Sequence, residues 1–400
     1  MIERHLASVL KREALRNPVV VLTGPRQSGK TTLVRACFED LAYVSLERPD
    51  LRRHALADPL GFLAGLPRPV ILDEVQRAPA LLSYIQVEVD EHASPGRFVL
   101  TGSQNLLLME GVSQTLAGRL ALLELLPFSL AEILGQPPLD LSTLGRPAAG
   151  GSAGTVPAEG LWETLWRSAY PPVHDRGLDP VRWLGDYYRT YVERDLRDVL
   201  KVMDLDAFDR FVRLTAARTA GELSLSSLAE DVGISQPTAR HWLTALQAGG
   251  LLFLLPPHRE NFRKRLRKRP KIHFLDAGLV CYLLGIDSPA TLARHPQRGA
   301  IFESFVVAEF VKARVHQGRE PRLFHWRDAT GHEIDLLVED GPRLVPVEIK
   351  SGATVADDML RSLLWWRSLP GNPHREGVLV TGGAVKGMRE GVSLLPWHLG

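Results

Sequence analysis

Residues 23–32, TGPRQSGKTT, restrict the possible folds of this 400-residue chain more than any other stretch. From Gly24 to Thr31 they match G-x-x-x-x-G-K-[ST] at every fixed position. The apolar residues 19–22 before the pattern are typical of a buried strand, and residues 33–38 after it are typical of a helix. A strand, a glycine-rich turn and a helix N-terminus bring backbone N–H groups around phosphate oxygens. The sequence therefore predicts a phosphate-binding loop, against the alternative of a glycine-rich turn with an unrelated lysine.

The pattern also predicts what the loop side chains bind. We expect Lys30 to reach the β- and γ-phosphates of ATP and the Thr31 hydroxyl to ligate Mg²⁺. The residues expected to bind ATP and its metal ion are Gly24, Pro25, Arg26, Gln27, Ser28, Gly29, Lys30, Thr31, Thr32 and Asp73.

Two further strands supply the rest of the expected site. Residues 69–74, PVILDE, form a short apolar strand that ends in two acids. Asp73 should hold Mg²⁺, and Glu74 should orient and activate the attacking water. The strand of residues 97–105 ends in small polar groups, and Ser103 among them is a candidate to contact the γ-phosphate. Strands that alternate with helices predict a parallel sheet whose carboxyl edge carries the site.

The chain resembles AAA+ ATPases, and more narrowly the prokaryotic AAA+ family that carries a C-terminal domain of unknown function. This resemblance rests on GPRQSGKTT, VILDEVQ, LTGSQ, LAGRLALLELLPFSLAE, YYRTYVERDL, PKIHFLDAGL, EIDLLVE and VPVEIKSG, which span nearly the whole chain. It implies an ATPase that works as a ring, expected to be a hexamer, in which a neighbouring subunit lends an arginine to each site. Arg119 and Arg194 are the candidates, and Arg119 could also contact phosphate in its own subunit. The alternative for Arg119 is an ordinary surface arginine at a turn, and the alternative for Arg194 is a salt-bridged helix face.

Composition places the chain in an ordinary class. Hydrophobic residues make up 45% of it and charged residues 24%, as in soluble globular proteins. Its net charge of +2 indicates no partner, and its two cysteines lie far apart in apolar surroundings. No apolar run approaches the ~18 residues of a membrane span. We therefore expect a cytoplasmic protein without membrane contact.

The order of the segments predicts an α/β protein with several domains. We expect a P-loop ATPase core over residues 1–136, a flexible segment rich in Pro, Gly, Ala and Ser over 137–160, a helical lid or extension over 161–204, a winged helix with a basic wing over 205–272, and a nuclease-like α/β domain over 273–400.

The winged helix rests on residues 225–246, where Gly233 separates two helices and Ser235 caps the second. Such a second helix reads DNA in many proteins, although winged helices also bind proteins. Residues 259–271 follow, with eight Lys or Arg and one acid, and are typical either of a phosphate-contacting wing or of a solvated loop. The candidate DNA-binding residues are Arg240, Arg263, Lys264, Arg265, Arg267, Lys268 and Arg269.

A second set of chemically active residues lies in the C-terminal third. Period-2 spacing places Glu348 and Lys350 on one face of a strand, and Asp335 can meet them from a hairpin partner. With Glu303 on a preceding helix, these residues resemble the PD-(D/E)XK nuclease pattern. Asp335 and Glu348 are then expected to bind a divalent metal, with Lys350 as a substitute cation where no metal binds. Salt-bridged strand residues, or a nuclease fold without activity, remain open.

These segments together predict a protein that hydrolyses ATP and binds or remodels duplex or branched DNA, because their order also resembles a bacterial motor that moves Holliday junctions. The alternative from another class is an ATP-dependent signalling or defence switch that acts on a protein partner and carries an inactive nuclease-like domain.

Overall fold

The computed structural model describes residues 2–103, 115–146, 160–191, 204–258 and 269–399. The chain divides into two compact units. The first comprises Met1–Phe128, Ala248–Gly250 and Arg314–Arg319, and the second comprises Ser129–Gln247, Leu251–Ala313 and Glu320–Gly400. The first segment of the first unit ends at Phe128, and the expected domain boundaries, including the one at 136, stay predictions.

A five-stranded parallel sheet forms the centre of the first unit, as the alternating pattern predicts. Its order is β2-β3-β4-β1-β5, and every neighbouring pair is parallel. The central strands are apolar runs because helices cover both of their faces, and each face builds its own buried cluster. The strands are β1 Val19–Thr23, β2 Ala42–Ser45, β3 Val70–Asp73, β4 Phe98–Thr101 and β5 Leu120–Glu124, and the helices are α1 Leu6–Ala14, α2 Lys30–Cys37, α3 Pro49–Ala57, α4 Pro59–Ala64 and α5 Leu81–Glu91.

The second unit begins with short helices and continues with a helical group that carries a two-stranded sheet. Gly233, with φ of 82°, ends one helix of this group, and the Ser235 hydroxyl accepts the Thr238 N–H at 3.2 Å at the start of the next. The helices are α6 Leu130–Ile133, α7 Leu161–Arg167, α8 Pro171–Asp175, α9 Pro180–Tyr187, α10 Leu205–Ala217, α11 Leu225–Val232 and α12 Gln236–Ala248, and the antiparallel strands are β6 Leu252–Leu255 and β7 Lys271–Phe274.

A six-stranded mixed sheet in the order β12-β13-β11-β10-β9-β8 follows. The predicted hairpin is confirmed, because β9 and β10 pair antiparallel across a turn at Gly341, whose φ is 60°. β11 then joins β10 in parallel. The strands are β8 Leu323–Arg327, β9 Glu333–Asp340, β10 Arg343–Lys350, β11 Val378–Thr381, β12 Gly387–Arg389 and β13 Val392–Pro396, and the helices are α13 Ala277–Leu283, α14 Pro289–Arg294, α15 Arg298–Val315 and α16 Arg361–Ser368.

None of the helices within the described ranges is both long enough and apolar enough to cross a membrane.

Candidate nucleotide site and candidate acidic site

The phosphate-binding loop joins the end of β1 to the start of α2. Gly24 has φ of +147°, and a Cβ there would lie 2.2 Å from the Leu125 carbonyl oxygen, so only glycine fits. Lys30 is 6% exposed and its Nζ donates to the Gly24 and Pro25 carbonyls at 3.0 and 2.9 Å. The Ser28 hydroxyl is buried with no partner among the described residues. The loop therefore holds an ammonium group and an unsatisfied hydroxyl that phosphate oxygens can engage.

Arg4 supports this loop from the segment before α1, and sequence reasoning missed it. Its guanidinium donates to the Ser28 carbonyl at 2.8 Å and to the Leu126 carbonyl at 2.6 Å, and lies over the Phe128 ring. Arg4 thereby ties the loop to the segment after β5. Nothing in the local sequence marks it, because its partners lie 24 and 122 residues away.

Asp73 ends β3 beside the loop, as its position after an apolar strand predicts. Its carboxylate accepts hydrogen bonds from three hydroxyls, those of Thr31 at 3.1 Å, Tyr43 at 2.6 Å and Thr101. Sequence reasoning missed Tyr43 and Thr101, although β2 and β4 flank β3 in the usual order of such sheets. Burial and the hydrogen bond to Asp73 raise the pKa of Tyr43 to about 12, so this phenol stays a donor at neutral pH.

Glu74 follows Asp73 in a left-handed conformation, with φ of 60°. Gln76 Nε2 donates to the Glu74 carboxylate and to the Ser103 hydroxyl, the latter at 2.9 Å. The structure thus brings together the residue expected to activate water and the one expected to contact the γ-phosphate. Gln76 links these two side chains. The only sequence feature that points to Gln76 is its position in the segment VILDEVQ.

The electrostatics of the loop favour an anionic ligand. Burial lowers the pKa of Lys30 to about 8, even though the charges of Glu74 and Asp73 raise it. Its ammonium group therefore lies in an apolar environment, where the negative charge of a phosphate would stabilise it. Thr31 and Asp73 supply the oxygens that would hold Mg²⁺, and their chemistry fits that hard cation.

Of the two candidate arginines, only Arg119 lies within the described residues, and it is not at this site in its own chain. Arg119 lies just before β5 and pairs with Asp90, with Nη2 at 2.9 Å from a carboxylate oxygen. Since β5 runs parallel to β1, its start lies at the sheet edge opposite to the phosphate-binding loop. A phosphate contact by Arg119 in its own subunit is therefore not supported, and a contact with a neighbouring subunit stays a prediction. Arg194 lies outside the described residues.

A second site gathers four carboxylates of the C-terminal third, Glu303, Glu333, Asp335 and Glu348, which we call the acidic cluster. They come from α15, β9 and β10. The structure brings the predicted set of Glu303, Asp335, Glu348 and Lys350 to one place through contacts with two lysines. Lys350 Nζ lies 2.6 Å from Glu348 Oε1 and 3.4 Å from Asp335 Oδ2.

Lys271, the first residue of β7, is the second lysine of this site, and sequence reasoning counted it in the basic run. It is 4% exposed, and its Nζ lies 2.9 Å from Glu303, 2.5 Å from Glu333 and 3.9 Å from Asp335. Alternation along β7 places Lys271 and the buried His273 on one face, which is the signal that could have separated Lys271 from the solvated run.

The burial of these charges shifts their proton affinities. Burial raises the pKa of Glu303 and of Glu348, and neighbouring carboxylates add to the effect. Burial alone would lower the pKa of Lys271, but the charges of Glu303, Asp335 and Glu333 outweigh it and raise that pKa. The site is thus a buried network of ion pairs.

The metal expected at Asp335 and Glu348 does not fit this arrangement. Within the described ranges, no three side chains of His, Cys, Asp or Glu are grouped so as to hold a metal ion. The positions between the carboxylates are filled by the ammonium groups of Lys271 and Lys350.

Only some of the residues predicted to contact DNA lie within the described ranges. Arg240 and His241 are exposed on α12, next to the exposed Ser235 and Gln236, and we call these four residues the polar face. Arg269 is also exposed. The remaining candidates, Arg263, Lys264, Arg265, Arg267 and Lys268, lie outside the described residues.

Comparison with known proteins defines the class. An AAA domain matches residues 16–134, a domain of unknown function (DUF4143) matches residues 298–399, and another (DUF8612) matches residues 158–290. Uncharacterized proteins of Mycobacterium tuberculosis and Mycobacterium bovis are 34% identical over 359 residues, which is 88% of this chain and 75% of each relative. The protein is a prokaryotic AAA-type ATPase with a DUF4143 domain. It belongs to the same family as these two mycobacterial proteins.

Solved structures add little. A Walker-type ATPase of Pyrococcus abyssi is 14% identical, with 71% of this chain and 96% of that chain covered, at a TM-score of 0.45. A signal transduction ATPase of Pyrococcus horikoshii with a tetratricopeptide repeat sensor is 10% identical, with 78% and 46% covered, at a TM-score of 0.20. Both scores are too low to carry an argument.

Proposed function

We propose that this ATPase uses ATP hydrolysis to bind and remodel DNA through residues 205–274. The observation that supports this most is the order α10, α11, α12, β6, β7, with Glu222 forming an isolated bridge to Lys271. Three helices and a small antiparallel sheet in this order are what a winged helix requires. The segment between β6 and β7 would then be the wing, and it contains most of the basic run.

The polar face of α12 is the proposed reading surface. Ala239 and Trp242 on the opposite side of the helix are buried, so packing fixes which side faces solvent. Arg240 can bind phosphate or a guanine edge, and the basic run would add phosphate contacts that hold the protein on any sequence.

In the nucleotide site, backbone N–H groups of the loop and Lys30 would hold the phosphates. Mg²⁺, when bound to Thr31 and Asp73, supplies positive charge for the phosphate oxygens. Glu74 would accept a proton from the attacking water. Gln76, which donates to both side chains, would hold Glu74 and Ser103 in a fixed relative position. Assembly into a ring, expected to be a hexamer, would let Arg119 or Arg194 act on a neighbour's site. An ATP-hydrolysing protein that stays monomeric with ATP and DNA present would contradict the ring.

The test is DNA binding measured against salt, together with the ATPase rate with single-stranded, duplex and four-way-junction DNA. Each duplex phosphate contact should add about 0.9 to the slope of log K against log salt. Arg240→Gln should weaken binding and flatten the slope by about that amount, while Arg210→Gln, the same change at an exposed position of α10, serves as control. Neutralising Arg263, Lys264 and Arg265 should flatten it further.

The second candidate function is a switch that acts on a protein partner, and the lysines in the acidic cluster favour it because they leave a nuclease-like domain without a metal site. ATP turnover that ignores every DNA, together with no salt-dependent DNA binding, would support the switch and contradict the DNA proposal.

A further inference from the structure

The geometry points to Lys271 as the resident cation among Glu303, Glu333 and Asp335 of the acidic cluster, where it takes the place of a divalent metal ion. The site as it stands then binds no divalent metal, and removal of this one ammonium group opens a metal site. This inference concerns residues 271–350 alone and does not depend on whether the protein binds DNA.

The Lys271 nitrogen lies among three carboxylates. It lies within 2.9 Å of carboxylate oxygens of Glu303 and Glu333 and 3.9 Å from one of Asp335. Three carboxylates from a helix and a strand therefore surround one point in space. A divalent ion such as Ca²⁺ binds carboxylate oxygens at about 2.3–2.6 Å, so the Glu303 and Glu333 oxygens lie within about 0.6 Å of coordination distance, and the Asp335 oxygen would have to move inward by about 1.3–1.6 Å.

The charges of the cluster must also be balanced. Asp335 and Glu348 are buried and Glu303 and Glu333 are half-buried, and each uncompensated buried charge costs several kcal/mol. Glu333 also pairs with Arg327, at 3.5 Å. Lys271 and Lys350 supply two positive charges, and Asp335 is shared between them, with Oδ1 toward Lys271 and Oδ2 toward Lys350. The Asp335 carboxylate also accepts the Ile349 N–H at 2.9 Å, which fixes its orientation. A metal ion would have to displace an ammonium group that is already paired.

Glu348 supplies a buried carboxylate oxygen that has no hydrogen-bond partner among the described residues. Glu348 is 4% exposed, and its Oε1 pairs with Lys350, which directs the carboxyl group into the cluster. Its Oε2 has no hydrogen-bond partner among the described residues. A buried carboxylate oxygen without a partner is costly and is the kind of atom a cation would satisfy.

Lys271→Met tests the inference, since Met keeps an unbranched apolar stem and lacks only the terminal ammonium group, whose position becomes vacant. The probe is Mn²⁺, counted by its electron spin resonance signal in nucleotide-free protein. Asp73→Asn is included in every variant so that the nucleotide site contributes no metal. The protein that carries Asp73→Asn alone should bind no Mn²⁺ at 1 mM or below. With Lys271→Met added, it should bind one ion per chain, with an affinity at least tenfold higher than that limit. Adding Glu303→Gln should abolish that ion.

Two outcomes would overturn the inference. One Mn²⁺ bound by the protein that carries Asp73→Asn alone and lost with Glu303→Gln would make the cluster an ordinary metal site, with Lys271 beside it. A folded Lys271→Met protein that binds no Mn²⁺ would show that Lys271 is not at a cation position. If Lys271→Met fails to fold without metal, folding restored by Ca²⁺ supports the inference, and no restoration contradicts it.

Discussion

Asp73 in the nucleotide site and Asp335 in the acidic cluster are both buried strand residues, with 4% and 7% exposure, yet their carboxylates are held differently. Asp73 accepts hydrogen bonds from three neutral hydroxyls. Asp335 faces two ammonium groups and a backbone N–H. Hydroxyls orient a carboxylate without cancelling its charge, whereas lysines cancel it. The first arrangement therefore keeps a charge for Mg²⁺ to neutralise, and the second does not.

The buried lysines of the nucleotide site and the acidic cluster differ in a corresponding way. Lys30 donates to backbone carbonyls, and burial lowers its pKa to about 8. Lys271 donates to carboxylates, which raise its pKa despite equal burial. Lys30 is a cation prepared for an anion that arrives from solution, and Lys271 is a cation whose anions belong to the same chain.

The largest expected effect is on ATP hydrolysis, which should depend on the nucleotide site and not on the acidic cluster. Glu74→Gln removes the proposed proton acceptor and leaves Thr31 and Asp73 in place, so the ATPase rate should fall by about 10²–10⁴-fold while ATP binding persists. Glu91→Gln makes the same change at an exposed position of α5 and should leave the rate unchanged. Turnover in Glu74→Gln equal to the parent's would remove Glu74 from the mechanism.

The lysine contrast predicts stability changes of opposite sign. Lys271→Met leaves buried carboxylates without their cation and should lower the free energy of unfolding by about 3–5 kcal/mol. Lys30→Met removes a buried ammonium group that carboxylates do not pair directly, and should raise it by up to about 3 kcal/mol, from the lowering of the Lys30 pKa from 10.5 to about 8. Denaturant unfolding at pH 7 without nucleotide measures both. Equal destabilisation by the two changes would contradict the contrast.

A smaller effect should follow from Tyr43→Phe, which removes one of the hydroxyls on Asp73. Loss of a hydrogen bond to a charged group costs about 1.5–3 kcal/mol where the group stays buried, but bound Mg²⁺ can replace part of it. We expect the Mg²⁺ concentration for half-maximal ATPase rate to change by about tenfold, with little change at saturating Mg²⁺. Tyr84→Phe on α5 is the matched control. An unchanged Mg²⁺ dependence would mean that Tyr43 does not position Asp73.

Sequence reasoning predicted the parts of each site that short segments encode. The loop, the acidic end of β3 and the β9–β10 hairpin follow from neighbouring residues and from strand periodicity. Tyr43, Thr101 and Lys271 escaped it because their roles depend on contacts between elements 28 to 64 residues apart in the chain. Lys271 is the clearest case, since its neighbours in sequence are basic and only its place on β7 buries it among carboxylates.

The last expected effect concerns the pH dependence of the region around Lys271. His325 is fully buried on β8, its Nε2 lies 2.9 Å from the Arg269 carbonyl oxygen, and burial together with the charge of Lys271 lowers its pKa from 6.5 to about 4. Between pH 6.5 and 4 the unfolded chain therefore binds more protons at this residue than the folded chain does. Stability from this source is present above pH 6.5 and is lost as the pH falls.

His325→Gln removes this contribution and keeps a polar side chain that can donate to the Arg269 carbonyl. The parent should lose up to about 1.4 kcal/mol of unfolding free energy per pH unit more than the variant as the pH falls from 6 to 4. His92→Gln, at an exposed position, should follow the parent. His273 is present in both proteins, and because burial is the largest cause of its lowered pKa, most of its contribution cancels in the difference. Parallel stability curves for the parent and His325→Gln would show that His325 takes up its proton in the folded state as readily as in the unfolded one.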